Sequence, residues 1–238
     1  MEKLEKLPKH IAIIPDGNRR WAKKRMMSPW LGHKKGTESL ESLGEVAVEM
    51  KIPYLSFWGS SKDNLIKRPK EEVDFLLKLF KEEFLKLSES EKIHKNEMKI
   101  NILGSWQEQF PEDVKCSMEK AMKNTENYDK YFFNFFIAYS GTDDMVDAIK
   151  KISELKLKNP EIEIDRKIIK GNMVAKDLPP VDLLIRTGGE PHNSDGFMMW
   201  DVANSQFVFL EKLWPDFTAE DLKEATVEYS KRERRLGK

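Results

Sequence analysis

Short apolar runs alternate with amphipathic stretches along almost the whole chain, and this alternation limits the fold more than any single motif. The apolar runs are Ile11–Ile14, Tyr54–Trp58, Met98–Leu103, Tyr131–Tyr139, Leu183–Ile185 and Gln206–Leu210. Between them, helical spacing covers Thr37–Lys51, Lys70–Ser90, Pro111–Asn124, Asp143–Lys156 and Ala219–Arg234. Bounded apolar runs of this length read as strands, and strands separated by helical patterns read as a parallel sheet. The expectation is an α/β fold with one domain over residues 1–238. A mainly parallel central sheet of about six strands is flanked by helices. Lys156–Lys176 is weakly patterned, with a break at Lys158-Asn159-Pro160 and room for a short helix at Asp165–Lys170.

The Lys70–Ser90 helix carries Val73, Leu76, Leu77, Phe80, Phe84 and Leu87 on one face. Spacings of three and four make that face either core or the wall of an elongated apolar pocket. Phe132, Phe133, Phe135 and Phe136 pose the same question on a strand, where alternate residues face opposite sides. Composition removes several classes. Lys plus Arg and Asp plus Glu both number 41, so no global basic field is available to hold nucleic acid. A single cysteine, Cys116, excludes an intrachain disulfide and a cysteine-based zinc site. The opening MEKLEKLPKH has no apolar h-region, and no run approaches the roughly twenty apolar residues of a membrane span. The expected location is the cytoplasm.

Chemistry concentrates where the apolar runs end. Ile11–Ile14 runs through Pro15 into Asp16-Gly17-Asn18-Arg19-Arg20-Trp21. In open α/β sheets, ligands bind just past the carboxyl ends of strands. Glycine there lets backbone N–H groups approach an anion, arginines neutralise it, and an acid beside them points to a divalent metal bridging to phosphate. A surface turn explains Asp16 and Gly17 but not the paired arginines. Leu183–Ile185 leads likewise into Arg186-Thr187-Gly188-Gly189-Glu190, then His192 and Ser194. Gly32-His33-Lys34-Lys35-Gly36 is expected at the start of a helix, where anions are favoured. Gly59 to Pro69, with Ser61, Asn64 and Arg68, reads equally as a polar substrate loop or a capped helix start. The Walker loop, the dinucleotide glycine fingerprint, the Gly-x-Ser-x-Gly elbow and the His-Glu-x-x-His pair are missing from the sequence.

Together these segments resemble the cis-prenyltransferase family, whose members include undecaprenyl diphosphate synthases. The resemblance spans nearly the whole chain. It rests on His10 to Ala22, Gly32 to Gly36, Ser61 to Asn64 with Arg68-Pro69, Val181 to Glu190, Leu213-Trp214-Pro215-Asp216-Phe217 and Arg232 to Gly237. It implies Mg²⁺-dependent condensation of isopentenyl diphosphate with an allylic prenyl diphosphate, giving a Z-polyprenyl diphosphate. It also implies an apolar tunnel for the growing tail, a homodimer, and transient contact with a membrane surface.

By the same resemblance, Asp16 is the catalytic aspartate and holds Mg²⁺. Gly17, Asn18, Arg19 and Arg20 cradle the allylic diphosphate, with Trp21, His33 and Arg68 beside them. Asn64, with Ser61, occupies the place assigned to proton removal. An amide is a poor base, so positioning is its expected role. Arg186, His192 and Ser194 stand at the isopentenyl diphosphate. Arg235 and Gly237 belong to a terminal motif that reaches the partner's site in the dimer.

The chain departs from the common bacterial pattern at several places. Arg19 replaces a glycine, Pro29 and His192 replace arginines, and Ser140 and Thr142 replace a Gly-Arg pair. Gln206 stands where a Mg²⁺-associated glutamate is usual, which leaves Glu190 as a candidate substitute. A non-catalytic partner subunit is the alternative reading, and an unrelated phosphate-binding α/β enzyme a third. Product length and preferred primer stay open.

Overall fold

The computed structural model describes residues 6–232. The strands are β1 (His10–Ile14), β2 (Tyr54–Trp58), β3 (Met98–Leu103), β4 (Tyr131–Phe136), β5 (Leu183–Arg186) and β6 (Gln206–Phe209). The helices are α1 (Asn18–Lys24), α2 (Pro29–Thr37), α3 (Leu40–Glu49), α4 (Lys62–Lys67), α5 (Lys70–Glu89), α6 (Glu91–Lys95), α7 (Trp106–Gln109), α8 (Glu112–Asn124), α9 (Gly141–Lys158), α10 (Arg166–Gly171) and α11 (Ala219–Lys231). The six strands form one sheet in the order β3-β4-β2-β1-β5-β6, every pairing parallel. After β1 the chain builds outward through β2 and beyond. It then crosses back to lay β5 on the other side of β1. The carboxyl ends of β1 and β5 therefore flank a topological switch point, where such sheets open a crevice for ligand.

Alternation along the strands sorts two unequal layers. One face carries Ile11, Ile13, Leu55, Phe57, Phe133, Phe135, Leu183 and Ile185, packed under residues of α3, α5, α8 and α11 in the larger core. The other face carries Ala12, Ile14, Leu184 and Phe136, covered by the Ala175–Val181 segment and by Phe197, Met198 and Val202. A row of polar side chains also crosses this second face. Asn101 donates to Asn134 at 2.8 Å, Asn134 to Ser56 at 3.1 Å, and Ser56 meets His10 Nε2 at 2.7 Å. His10 Nδ1 lies 2.8 Å from the Pro179 carbonyl, which can only accept. The Nδ1–H tautomer therefore satisfies the whole row.

Three expectations need correction. The strand drawn to Tyr139 stops at Phe136, because Ala138 takes a left-handed φ of 50° that turns the backbone out of the ladder. The helix drawn from Thr37 starts at Leu40, and Thr37 ends a separate helix, α2. Gly32 and Gly36 lie inside α2, not ahead of a helix. They are there for close approach: a Cβ at Gly32 would sit 2.0 Å from the Asn18 carbonyl oxygen, and one at Gly36 2.5 Å from Asn18 Oδ1.

Candidate active site

Asp16 lies one residue past Pro15, beyond the end of β1, and its main chain is tied down from two sides. Its carbonyl accepts from the Thr187 hydroxyl at 2.7 Å and from the Trp214 amide at 2.9 Å. Its carboxylate faces two guanidinium groups. Arg186, the last residue of β5 and in register with Ile14, donates to Oδ2 at 2.9 Å. Arg20, on the first turn of α1, stands 3.1 Å from Oδ1 and donates to the Gly188 carbonyl at 2.6 Å. Gly188 has a φ of +92°, and a Cβ there would sit 2.6 Å from Arg20 Nη2. The paired-glycine turn thus makes room for Arg20.

Arg186 is buried and heavily engaged. Its Nη1 donates to the His192 carbonyl at 2.7 Å and to the Ser194 hydroxyl. Its Nε is buried without a partner. Asn18 donates to the Pro15 carbonyl at 3.1 Å, while its Oδ1 is buried and unpaired. The Arg186 donor is an orphan that a phosphate oxygen can complete on binding, whereas Asn18 Oδ1 is an acceptor packed against Gly36.

Across the cavity, α4 and α5 contribute a second charged group. The Ser61 hydroxyl caps α4 by accepting from the Asn64 amide at 3.0 Å, and Arg68 donates to Asn64 Oδ1 at 3.1 Å. Glu72, on the first turn of α5 and 2% exposed, stands 3.4 Å from His33, 3.4 Å from Arg68 and 3.7 Å from Arg19. The His33 hydrogen bond is the leading cause that holds the Glu72 carboxyl below its ordinary value. Burial pushes His33 below 6.5 against the pull of Glu72, so the ring is neutral at neutral pH. The cationic charge on this side comes from Arg19 and Arg68.

These groups surround a cavity of about 810 Å³. Of the residues expected at the site, Asp16, Gly17, Asn18, Arg19, Arg20, His33, Asn64, Arg68, Arg186 and Ser194 line it. Trp21 does not: its indole N–H donates to Asp216 at 2.7 Å and its ring packs with Leu213 and under Arg25. It anchors α1 from behind. Ser61 points into its cap, and Ser60 lines the cavity instead. His192 reaches Arg186 through its carbonyl, while its ring is half-exposed beside Ser194 and Glu190. Arg235 and Gly237 lie outside the described residues. Gln206 opens β6 in register with Leu183, at the amino end of the strand and away from this cavity. Glu72 escaped the sequence reading, because an acid in a helix's first turn ordinarily serves the helix dipole.

An apolar cleft of about 90 Å³ leads off the cavity, sharing Pro15, Asn18, His33 and Gly59 with it. Leu76, Leu79, Phe80, Phe84 and Leu87 of α5 face Phe57, Phe135 and Ile137 across this cleft. The α5 stripe is therefore both core and wall. A pocket with guanidinium groups at one end and an apolar slot at the other suits an amphiphile with an anionic head.

Comparison with known proteins agrees with that geometry. The family model for undecaprenyl diphosphate synthases matches residues 14–237. The chain is 39% identical over 238 residues to tritrans,polycis-undecaprenyl-diphosphate synthase (geranylgeranyl-diphosphate specific) of Pyrococcus furiosus, covering 98% of this chain and 88% of that protein. It is 37% identical over 232 residues to an isoprenyl transferase of Thermotoga maritima, covering 98% and 97%. The crystal structure of lavandulyl diphosphate synthase from Lavandula x intermedia, in complex with dimethylallyl diphosphate, superposes with a TM-score of 0.88 at 29% identity, covering 98% of this chain and 99% of that one.

Proposed function

The chain belongs to the undecaprenyl diphosphate synthase family of cis-prenyltransferases, and from that premise we propose how its own residues condense isopentenyl diphosphate with an allylic prenyl diphosphate. The C1–O bond of the allylic diphosphate breaks and pyrophosphate leaves. The double bond of isopentenyl diphosphate attacks C1, one proton is lost, and a Z double bond forms. The difficulty is electrostatic, since two diphosphates must sit side by side while negative charge grows on the leaving group. Preorganised cations stabilise that charge without reorganising at the moment of reaction.

Arg19 and Arg20 bind the allylic diphosphate in this scheme, with Arg68 and the neutral His33 behind them. Arg186 and Ser194 bind the isopentenyl diphosphate. Asn64, held by Arg68, positions the substrate whose proton is lost; a diphosphate oxygen accepts the proton. The apolar cleft beside α5 receives the tail. The observation that carries the reading is the single carboxylate of Asp16 held between Arg20 and Arg186, at the switch point of the sheet and at the head of that cleft.

The donor set decides what kind of magnesium site fits. Among the described residues, no three His, Cys, Asp or Glu side chains gather as a cage. Asp16 stands nearly alone, with Glu190 reached through Arg20 at 3.9 Å. That does not suit a naked ion, but it suits Mg²⁺ that arrives on a diphosphate, because Mg²⁺ is commonly held by one or two carboxylates plus substrate phosphates. Asp16 would hold it, with Glu190 the second candidate, and the ion would neutralise leaving-group charge as a Lewis acid.

We extend the reading to a homodimer in the cytoplasm, with brief membrane contact imposed by an apolar product. Among the described residues no helix is long and apolar enough to cross a membrane. The test is incorporation of labelled isopentenyl diphosphate with Mg²⁺ and primers from dimethylallyl to geranylgeranyl diphosphate. Turnover with at least one primer, yielding Z products, is expected. No incorporation with any primer would refute the assignment.

A further inference from the structure

Glu83 is the one acid among the described residues lining the apolar cleft, and the reaction outlined above does not use it. It sits on the α5 face that carries Leu76, Leu79 and Phe80 on one side of it and Phe84 and Leu87 on the other. From Glu72, at the charged end, eleven residues of helix place it about 16 Å along the slot. Across from it stand Thr37, at the end of α2, and Leu40, at the start of α3.

The surroundings give Glu83 no full counter-ion. Lys86, one turn on, stands 3.8 Å from Glu41 of α3. Glu82 adds negative charge beside it, itself 3.7 Å from Lys78. Thr37 is the remaining polar partner. Its hydroxyl also lies 2.8 Å from the Lys34 carbonyl, which it can serve as a donor. Its contact with Glu83, like the charge of Lys86, draws the carboxyl down and so favours the ionised form. Burial pushes the carboxyl above its ordinary range, the largest influence on it.

We propose that Glu83, together with Thr37, is a specificity-determining stop in the cleft that limits product length. The inference rests on reading the chain as an enzyme that elongates prenyl diphosphates. On the α5 wall, a tail short of Glu83 meets Leu76, Leu79 and Phe80. A tail that grows past it strips water from a carboxylate and leaves a buried polar group poorly satisfied, which is unfavourable. Each further unit then competes less well with release. Protonation weakens the barrier, so the stop is strongest when Glu83 is charged.

The test compares wild type, Glu83→Leu and Glu83→Gln with labelled isopentenyl diphosphate in excess. Two quantities are read: the rate of a single condensation, and the chain lengths at completion. Expected is an unchanged single-condensation rate, with the dominant Glu83→Leu product longer by one or more isoprene units. Glu83→Gln shifts in the same direction by less. If Glu83→Leu does not fold, the Glu83→Gln comparison decides. Normal turnover with chain lengths unmoved, or shortened, overturns this inference alone. A wild-type chain that incorporates nothing overturns the reading beneath it as well.

Discussion

Two polar assemblies are built on the same strands, and they are finished differently. The row from Asn101 through Asn134 and Ser56 to His10 crosses the second face of the sheet, and each link has a partner at 2.7–3.1 Å, with Pro179 closing the end. The cavity past the strands' carboxyl ends holds more charge yet leaves the Arg186 Nε donor buried and unpaired. Unsatisfied buried groups cost free energy in a folded chain. The closed row therefore reads as structure, and the open cavity as a place prepared for a ligand. Orphans alone do not make a site: Gln206 Oε1 and Ser39 Oγ lack partners too. What marks the cavity is the coincidence of that donor with clustered charge at the switch point.

That contrast can be broken by substitution. The largest expected effect is at Asp16. Asp16→Ala loses on the order of a thousandfold in isopentenyl incorporation, the scale of removing a group that stabilises transition-state charge. Asp16→Asn loses as much, because the charge and not the volume matters. It also lowers the unfolding midpoint, since Arg186 keeps its buried charge and loses its counter-ion. Near-normal incorporation in both variants would remove the cavity's claim.

The closed row answers to acid instead. Burial brings His10 from 6.5 down to about 4. Its folded value is below its unfolded value, so the contribution to stability is complete above pH 6.5 and is lost as pH falls toward 4. Integrated over that window the loss is about 3 kcal/mol. Denaturant midpoints between pH 7 and pH 4 should fall steeply for the wild type and less steeply for His10→Gln. Parallel curves would show that the row does not exclude a proton.

The smallest effect sharpens the comparison from within the cavity. Glu72→Gln removes the negative charge shared by Arg19, His33 and Arg68. A reduction of about tenfold in kcat/KM is expected, consistent with about 1.5 kcal/mol for a charge-assisted contact. Most of it should fall on KM for the allylic substrate, with the activity's dependence on salt increased. An unchanged KM would make Glu72 a packing residue.

Much of the site was legible because its motifs sit at strand ends. Asp16, Arg19 and Arg20 follow β1, and Arg186 closes β5, so the rule for α/β sheets located them from an apolar run and a charge. The cluster from Gly32 to Gly36 was found for the wrong reason. Its glycines suggested a helix start, and they serve instead to let α2 lie against Asn18. Trp21 shared a motif with cavity residues but faces Asp216, because neighbours on a helix point in different directions. Ser60 and Ser61 show the same difficulty at a loop, where sequence adjacency does not say which side chain turns inward.

By itself the sequence determined the class of fold, the succession of its six strands and longer helices, and the segments where charge gathers. These depend on local periodicity and on residue chemistry, which a linear pattern carries. Only the tertiary structure decided that Asp16 and Arg186, 170 positions apart, share a hydrogen bond. It alone showed Glu72 beneath two guanidinium groups and a neutral imidazole, and Glu83 within an apolar slot. Those placements come from how helices pack on a sheet, a property of distances between remote segments that no local window contains.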